Sequence, residues 1–453
     1  MVMKSGIAVL LLYIAMLPAS HVVVVGCGYV GLTLAAVLAS ADHMITCVDS
    51  DAYKIQLLHT QQLPFYEPGL VECLFDTAHK KRITFCHTND YIPPVPIYYV
   101  CVPTPVDNHG ACDDAYVRAA CAAIIDTQCA DDPIIIVIKS TVAPGTLRVL
   151  QQELSACAQR VDIVYNPEFM REGTALQDIY MRNPIVLGAQ SQDALRLVEQ
   201  LLATCLPTPT DIIKTDFETA ELIKYAWNAF SATRIAYVNE LALLCRALHA
   251  DITQVIQGLA LSEQLLPTAH LKPGPGYGGS CLPKDTKAFA HILETFGLER
   301  SIIHRTIESN QQHKATLAAD IVRSVAPTAR QAKMVALLGL AFKAHTNDVR
   351  QSAAIDVIKL LRTHDVIIKA YDPCAMTSMR ELFEDVIYCT SAYQAVEDVD
   401  CIVVLTEWPE FKNLDLSIVA SVCKKKKIID TRNIFNPASV RAHGFEYLPM
   451  GAL

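Results

Sequence analysis

The stretch HVVVVGCGYVG, residues 21–31, carries the strongest structural signal in this chain of 453 residues. Four consecutive valines predict a buried strand, and the apolar residues from Tyr29 to Ala39 predict a helix directly after it. Gly26, Gly28 and Gly31 form a G-x-G-x-x-G pattern, which permits a tight turn and a close approach of backbone to a pyrophosphate at the helix N-terminus. The stretch therefore predicts a dinucleotide-binding α/β domain. A glycine-rich turn without a ligand is the alternative.

An acidic residue strengthens the cofactor interpretation. Asp49 ends the next predicted strand, Met44–Asp49, eighteen residues after Gly31. A carboxylate at this position would accept hydrogen bonds from the adenosine ribose and repel a 2′-phosphate, so NAD is favoured over NADP. We assign Tyr29 and Val30 to the same cofactor site.

Strands and helices alternate on both sides of one long helix. Continuous apolar runs at 96–102 and 133–140 predict a parallel sheet covered on both faces. Asp216–His249 contains neither Pro nor Gly over more than thirty residues. This helix is too apolar for one domain to cover, so we expect a homodimer or a larger assembly. The alternation then returns, with strands expected at 335–343, 366–373, 401–408 and 427–433.

These patterns predict an α/β protein with two Rossmann-like, doubly wound parallel-sheet domains joined by a central helical domain. The expected divisions are an apolar N-terminal extension (1–20), an NAD-binding domain (21–210), a helical domain for dimer contacts and active-site residues (211–315) and a C-terminal domain (316–453).

The composition excludes several classes of protein. Hydrophobic residues make up 52% and charged residues 19%, which excludes disordered and collagen-like chains. A formal net charge of −9 disfavours a nucleic-acid partner. The sixteen cysteines include no CxC or CxxC pair, so we predict no metal site and buried, reduced thiols in the cytoplasm.

The N-terminus contains an apolar run, Ile7–Leu17, that imitates a signal peptide but is too short to span a membrane. We favour an extension without an export function over a working signal. The lysine run 424–427 precedes a predicted strand, and we interpret it as a solvated turn rather than an anion site.

The segment GGSCLPKD, residues 278–285, predicts a reactive cysteine. Pro283 suits the first position of a helix, which places Cys281 just ahead of the helix N-terminus. Exposed N–H groups there stabilise a thiolate, and Lys284 adds positive charge. Asp285 could position or deprotonate a water molecule. A packed core cysteine is the alternative.

Other polar residues stand at positions suited to chemistry. Lys224 and Asn228 share one face of the long helix and could stabilise an oxyanion, although Lys224 could instead extend its ammonium to solvent at a domain edge. Thr104 and Thr141 follow predicted strands, where hydroxyls serve a ligand or a water molecule, or cap a turn. The loop NPEFMREG, residues 166–173, carries two carboxylates and an arginine for substrate handling, or a surface ion pair.

Seven segments together resemble the UDP-glucose 6-dehydrogenase family of nucleotide-sugar dehydrogenases, over about residues 21–440. They are GCGYVG, CVPTP, KSTVAPGT, NPEFMREGTA, ETAELIKYAWNAF, GPGYGGSCLPKD and GLAFKAHTNDVR, in this order. The resemblance implies oxidation of a primary alcohol on UDP-glucose to a carboxylate with reduction of two NAD. GDP-mannose dehydrogenases share the same thiol, lysine and asparagine, and an NAD-binding scaffold without turnover is a further alternative.

The resemblance also implies roles for individual residues. Cys281 would hold the intermediate as a thiohemiacetal and then a thioester. Oxyanion stabilisation falls to Lys224 and Asn228, positioning of water to Asp285 and Thr141, and acid–base chemistry to Glu168. The cofactor side would further include Lys54, Thr104, Thr141, Glu172, Lys284 and Arg350. The substrate side would include Glu168, Phe169, Met170, Arg171, Lys224, Asn228, Tyr277, Gly278, Phe342, Lys343 and Arg432, with the UDP end in the C-terminal domain.

Three positions depart from the family pattern. Cys27 replaces a small residue inside the glycine motif, and Trp227 stands near Lys224 where relatives often have a small residue. Relatives also carry Arg-Ile-Gly shortly before LKPG, and that arginine reaches the sugar nucleotide from a neighbouring subunit. Here the segment reads EQLLP, residues 263–267, so the arginine that makes this contact in relatives is absent.

Overall fold

A computed structural model describes residues 20–76, 81–88, 90, 92–127, 133–156, 160–180, 185–206, 211–260, 271–325 and 333–451. Residues 1–19 of the predicted extension and the departing segment 263–267 lie outside this description. The chain divides into two compact units, Met1–Ala226 and Trp227–Leu453.

The first unit contains an eight-stranded sheet in the order β3-β2-β1-β4-β5-β6-β7-β8. Neighbours among β1–β6 pair in parallel, β7 joins β6 antiparallel, and β8 pairs in parallel with β7. The strands are β1 His21–Val25, β2 Met44–Asp49, β3 Ile83–His87, β4 Ile97–Val100, β5 Ile134–Ile138, β6 Val161–Tyr165, β7 Ile185–Gly188 and β8 Ile212–Thr215.

Helices connect these strands, because parallel neighbours require crossovers. They are α1 Tyr29–Ser40, α2 Ala52–His59, α3 Leu70–Phe75, α4 Ala115–Asp126, α5 Thr146–Ser155, α6 Ala175–Tyr180 and α7 Gln192–Ala203. The direction of winding reverses between β1 and β4. Ligands of such sheets bind beyond the carboxyl ends of the strands at this point, where the glycine turn follows β1.

The long helix α8 spans Phe217–Leu248, 32 residues, which confirms the helix predicted over Asp216–His249. At about 1.5 Å per residue it is about 48 Å long. The range 211–315 was expected to contain no strand, and β8 contradicts this for Ile212–Thr215. Four residues beside the edge of a sheet are too few to produce a periodic signal of their own.

The second unit continues with three more helices, of which α10 begins at the reactive-cysteine segment. They are α9 Ile252–Ala260, α10 Leu282–Thr295 and α11 Ile302–Val325. Within the described residues, no helix is both long and apolar enough to cross a membrane.

A six-stranded, fully parallel sheet follows in the order β11-β10-β9-β12-β13-β14. Its strands are β9 Met334–Leu338, β10 Ile367–Tyr371, β11 Ile387–Tyr388, β12 Cys401–Val404, β13 Lys427–Asp430 and β14 Glu446–Pro449. Its helices are α12 Ala353–Arg362, α13 Met376–Arg380, α14 Ala392–Val396, α15 Pro409–Lys412, α16 Leu416–Val422 and α17 Pro437–Ala442.

Both sheets therefore wind outward in two directions from a central pair, and the predicted fold class is confirmed. The strand expected at 335–343 ends at Leu338 because Gly339 adopts φ 96°, and a Cβ there would lie 2.4 Å from the Thr406 side chain. Along β9, Val335 and Leu337 enter one hydrophobic cluster, while Ala336 and Leu338 enter another. This alternation shows that apolar layers cover both faces of the sheet.

Candidate active site

The three glycines after β1 play different structural roles. A Cβ on Gly26, whose φ is 103°, would lie 2.6 Å from the carbonyl oxygen of Cys101. A Cβ on Gly31 would lie 2.0 Å from the carbonyl oxygen of Gly26. Gly28 has no atom within 4 Å of that position, so the N-terminus of α1 is open to a ligand. The first and third glycines shape the turn, and the second leaves room for a pyrophosphate.

Asp49 is buried at the end of β2, next to this turn. Its Oδ2 accepts a hydrogen bond from the backbone N–H of Cys27 at 2.8 Å, and its Oδ1 accepts one from Asp51 N–H at 2.9 Å. The Nζ of Lys54 lies 3.5 Å from Asp49 Oδ2. A hydrogen bond with the neighbouring Cys47 thiol, together with burial, raises the pKa of Cys27, so its thiol stays neutral. The turn and its fixed carboxylate fit NAD.

The two predicted threonines follow adjacent strands. Thr104 is buried after β4, and Thr141 is half-buried after β5. The Ser140 hydroxyl donates to the carbonyl oxygen of Val102 at 2.7 Å and joins the two loops. Both hydroxyl residues therefore stand beyond the carboxyl edge of the first sheet, while their ligand contacts remain a prediction.

Lys224 and Glu168 form a buried ion pair in the first unit. Lys224 Nζ lies 3.0 Å from Glu168 Oε1 and donates to the Glu168 carbonyl oxygen at 2.6 Å. It also lies 5.4 Å from the centre of the Phe169 ring. Glu168 Oε2 accepts a hydrogen bond from Met170 N–H at 2.7 Å. The ammonium is therefore held inside the protein, and the solvent-directed alternative for Lys224 is wrong.

Lys139 is a second buried lysine in the first unit, and it was not predicted from the sequence. Its Nζ donates to Asn166 Oδ1 at 3.1 Å and lies 3.3 Å from the Asn166 carbonyl oxygen. Burial has the largest effect on the pKa of Lys139 and lowers it. The charge of Glu168 raises this pKa, and the charge of Lys224 lowers it. The available signal was a lysine at the end of an apolar strand, directly before Ser-Thr.

The remaining residues of the NPEFMREG loop are held by carboxylates. Arg171 makes a two-pronged ion pair with buried Asp178, at 2.6 and 3.0 Å, although its side chain is 56% exposed. Glu67 accepts hydrogen bonds from the N–H groups of Gly173 and Ala175 at 2.7 and 2.8 Å. Glu172, between Arg171 and Gly173 in the sequence, is half-buried. Arg171 thus pairs with a buried carboxylate outside the loop rather than in the surface ion pair named as an alternative, and its substrate contact stays a prediction.

In the second unit, Cys281 is the N-cap residue of α10, as the sequence predicts. Its carbonyl oxygen accepts a hydrogen bond from Asp285 N–H at 2.8 Å. Its Sγ lies 3.5 Å from the Ser280 hydroxyl. Pro283 stands in the first turn, where no N–H is required. The Cys281 residue is half-buried and stands at the N-terminus of α10, where the helix dipole stabilises negative charge.

Asp285 is almost completely buried, and two predicted residues bind it. Its Oδ1 accepts a hydrogen bond from Lys284 Nζ at 2.6 Å, and its Oδ2 accepts one from Asn228 Nδ2 at 2.5 Å. A buried carboxylate requires such partners. The structure therefore connects Asn228 on α8 with the first turn of α10.

The glycine-rich loop before Cys281 packs against residues that follow β9. A Cβ on Gly278 would lie 2.4 Å from the Gln351 carbonyl oxygen. Gly279 N–H donates to the Arg350 carbonyl oxygen at 2.8 Å. Tyr277 is buried and exchanges two backbone hydrogen bonds with the Asn310 side chain, at 2.9 and 3.2 Å. Asn310 was not predicted, since a single asparagine on a helix gives no distinctive pattern.

Arg432 links several loops at the carboxyl edge of the second sheet. Its Nη2 donates to the Phe342 carbonyl oxygen at 2.7 Å, its Nε to the Leu405 carbonyl oxygen at 3.0 Å, and Glu407 Oε2 lies 3.0 Å away. Lys343 Nζ lies 5.6 Å from the Phe342 ring centre.

Arg350 pairs with Asp348 at 2.7 Å, and its side chain is 65% exposed. Its predicted cofactor contact therefore remains a prediction. Among the residues that the structure describes, no group of three or more His, Cys, Asp or Glu could hold a metal ion.

Comparison with protein families matches three domains of the UDP-glucose/GDP-mannose dehydrogenase family. The NAD-binding domain matches residues 20–206, the central domain 218–312 and the UDP-binding domain 336–437. The chain belongs to this family. The resemblance inferred from the seven segments is confirmed.

Relatives in the UDP-glucose/GDP-mannose dehydrogenase family cover nearly the whole chain. The UDP-glucose 6-dehydrogenase TuaD of Bacillus subtilis is 37% identical over 95% of this chain and 93% of its own. The UDP-glucose 6-dehydrogenase of Rickettsia typhi is 35% identical over 95% and 99%.

Solved structures of the family share the fold. A UDP-glucose dehydrogenase from Pyrobaculum islandicum has a TM-score of 0.84 at 28% identity, covering 96% of this chain and 98% of its own. A UDP-N-acetyl-mannosamine dehydrogenase from Staphylococcus aureus has a TM-score of 0.76 at 25% identity, covering 95% and 98%. These findings confirm the predicted class, an NAD-dependent nucleotide-sugar dehydrogenase, and NAD as its cofactor.

Proposed function

We propose that this family member oxidises the primary alcohol of UDP-glucose to the carboxylate of UDP-glucuronate, with reduction of two NAD and consumption of one water molecule. The observation that carries the proposal is Cys281 at the N-terminus of α10, in a chain that also has an open dinucleotide turn. A simple alcohol dehydrogenase has no use for a nucleophilic thiol. A thiol is required when the aldehyde must be retained and oxidised again.

NAD, when bound by Gly26–Gly31 and Asp49, supplies the hydride acceptor for both oxidations. The side chains Lys54, Thr104, Glu172, Lys284 and Arg350 are the further residues that we assign to it. The protein must stabilise each oxyanion that forms on the sugar carbon. We assign this to Lys224 and Asn228, which are four residues apart on α8 and therefore share one of its faces.

Cys281 adds as a thiolate to the aldehyde carbon, so that a C–S bond forms and the carbonyl oxygen becomes an oxyanion. Oxidation of this thiohemiacetal gives a thioester. Water then attacks the thioester, the C–S bond breaks, and the thiolate leaves. We assign the positioning of this water molecule to Asp285 and Thr141, and proton transfer to Glu168.

We assign the UDP end of the substrate to the second sheet. The match of residues 336–437 to a UDP-binding domain supports this assignment. Arg432, which lies at the carboxyl edge of that sheet, supplies a guanidinium suited to a diphosphate. The other substrate residues that we propose are Phe169, Met170, Arg171, Tyr277, Gly278, Phe342 and Lys343.

Purified protein incubated with NAD and limiting UDP-glucose should form two NADH for each sugar consumed. One NADH would indicate a simple alcohol dehydrogenase, and none would indicate a scaffold. GDP-mannose and UDP-N-acetyl-mannosamine, tested at the same concentrations, should give a kcat/KM at least about tenfold lower. A higher value with either of them would transfer the proposal to that substrate.

We also propose a homodimer formed through α8. Large apolar side chains are exposed along this helix at spacings of three, four or seven residues. These spacings place them along one face of the helix. They are Trp227, Phe230, Tyr237, Leu244 and Leu248, between 48% and 66% exposed. Several large apolar side chains exposed on one helix favour a protein interface.

Leu244→Glu should convert the dimer to a monomer at micromolar concentration, because a carboxylate cannot be buried in an apolar interface without a partner. Light scattering measures the mass. Ile418→Glu, at a side chain of α16 with 47% exposure, is the matched control and should leave the mass unchanged. A monomeric wild-type protein would contradict the proposal.

The cytoplasm is the compartment that we propose. Buried cysteines such as Cys47, Cys245 and Cys401 form no disulfide, as expected for a reducing environment.

A further inference from the structure

Glu221 is a completely buried carboxylate on α8 for which the proposed chemistry has no use. We propose that Glu221 is a positioning residue, whose carboxylate fixes the loop between β5 and α5 that carries Thr141. The inference rests on the proposed function, because Thr141 is assigned there to the positioning of water.

The contacts of Glu221 are with the N-terminus of α5. Its Oε2 accepts a hydrogen bond from Gly145 N–H at 2.7 Å, and its Oε1 accepts one from Leu147 N–H at 2.9 Å. Gly145 is the N-cap residue of α5 and has no side chain to bond these groups itself. The carboxylate therefore replaces the missing cap and joins the loop to α8.

The same loop is also held at its start. Lys139 binds Asn166, and the Ser140 hydroxyl binds the Val102 carbonyl oxygen. Thr141 lies between these contacts and those of Glu221. Because Glu221 precedes Lys224 by three residues, one turn of α8 holds both this loop and the loop of Glu168.

The ionisation state decides how well Glu221 can hold the loop. An ionised carboxylate accepts hydrogen bonds on both oxygens, whereas a protonated carboxyl has an O–H group that donates and no longer serves one of the two N–H groups equally. The pKa of Glu221 is raised to about 7, chiefly by burial and to a smaller extent by the charge of Glu218. The N–H groups of Leu147 and Gly145 and the charge of Arg148 lower it. Both forms are therefore populated near neutral pH.

Stability and loop positioning respond oppositely to pH. Because the pKa of this acid is raised in the folded state, its contribution to the free energy of unfolding declines as pH rises from about 4.5 to about 7. Over the upper part of this range the carboxylate ionises and holds both N–H groups. If Glu221 served only stability, activity would fall with rising pH together with the free energy of unfolding. If Glu221 positions the loop, activity rises over the same pH range, so the pH profile distinguishes the two roles.

The test is Glu221→Gln, assayed with NAD and UDP-glucose between pH 6.0 and 8.5. An amide offers only one acceptor oxygen, so the variant resembles the protonated enzyme at every pH. The ratio of wild-type to variant kcat should be about 1–2 at pH 6.0 and about 10 at pH 8.5. Glu199→Gln, at a partly exposed carboxylate of α7 that pairs with Lys214 and does not act on Glu221, is the matched control and should give a ratio near 1 throughout. A ratio for Glu221→Gln that is constant with pH would overturn the proposal.

Hydrogen exchange of the peptide that contains Gly145 and Leu147 tests the anchor without activity. At pH 8 these amides should exchange at least about tenfold faster in Glu221→Gln than in the wild type. Unchanged exchange overturns the proposal even in an active enzyme. Failure of the wild type to oxidise UDP-glucose would instead reject the proposed function, while the exchange result still decides the anchor. If Glu221→Gln does not fold, Glu221→Asp keeps a titrating but shorter carboxylate and should show faster exchange with activity that still rises with pH.

Discussion

Replacing Cys281 with serine should lower UDP-glucuronate formation at least about 10³-fold. The substitution removes one polarisable sulfur and leaves the N-cap geometry of α10 in place. A serine hydroxyl is far less acidic than a thiol, and no general base for it has been assigned. The second oxidation and the thioester hydrolysis should therefore be affected most. Steady-state NADH formation with UDP-glucose measures the loss.

Intact-protein mass gives an independent readout of the covalent step. The wild type, quenched during turnover, should show a fraction of protein with added sugar-nucleotide mass, and Cys281→Ser should show none or a slowly hydrolysed ester. Cys423→Ser is the matched control, since burial raises the pKa of that half-buried thiol and keeps it neutral. Turnover of Cys281→Ser within about tenfold of the wild type would contradict the covalent mechanism.

The glycine turn and the thiol were predictable because their signals are local. Gly26, Gly28 and Gly31 act through backbone conformation and space within a few residues, and a sequence pattern reports such constraints directly. Cys281 was identified because Pro283 indicates the start of a helix, and Cys281 comes just before that start. By contrast, the edge strands β8 and β14 lie in short segments whose strand state depends on pairing with β7 and β13. That pairing is a tertiary effect, which local propensity does not report.

The supporting residues of the site escaped prediction for the same reason. Lys139 contacts Asn166, 27 residues later, and Glu221 contacts Gly145, 76 residues earlier. The apolar strand before Lys139 indicates burial but not its partner, and nothing near Glu221 in the sequence distinguishes it from a surface charge. Their partners become visible only when the β5–α5 loop and α8 are placed together in the first unit. The charged residues Arg171 and Arg350, which the sequence did highlight, pair with Asp178 and Asp348.

Replacing Lys224 with methionine should lower kcat/KM about 10²- to 10³-fold, because an oxyanion would lose its positive partner. The free energy of unfolding should fall as well, by about 3 kcal/mol, since Glu168 loses its buried ion-pair partner. The assay is run at 25 °C after chemical denaturation has shown that the variant is folded there. Lys214→Met is the matched control, because that lysine is 45% exposed and pairs with Glu199 at the surface. It should change neither quantity measurably.

The pair itself can be tested by adding Glu168→Gln to Lys224→Met. The double variant contains no uncompensated carboxylate, so most of the lost free energy of unfolding should return. Its activity should not return, because neither the positive charge nor the acid–base group is present. A single Lys224→Met variant that is folded and retains kcat/KM within about tenfold of the wild type would assign Lys224 a purely structural role. Lost activity in a stable double variant would not show which of the two residues is required for activity. The single variant therefore tests the role of Lys224 in catalysis. The double variant tests whether the ion pair stabilises the fold.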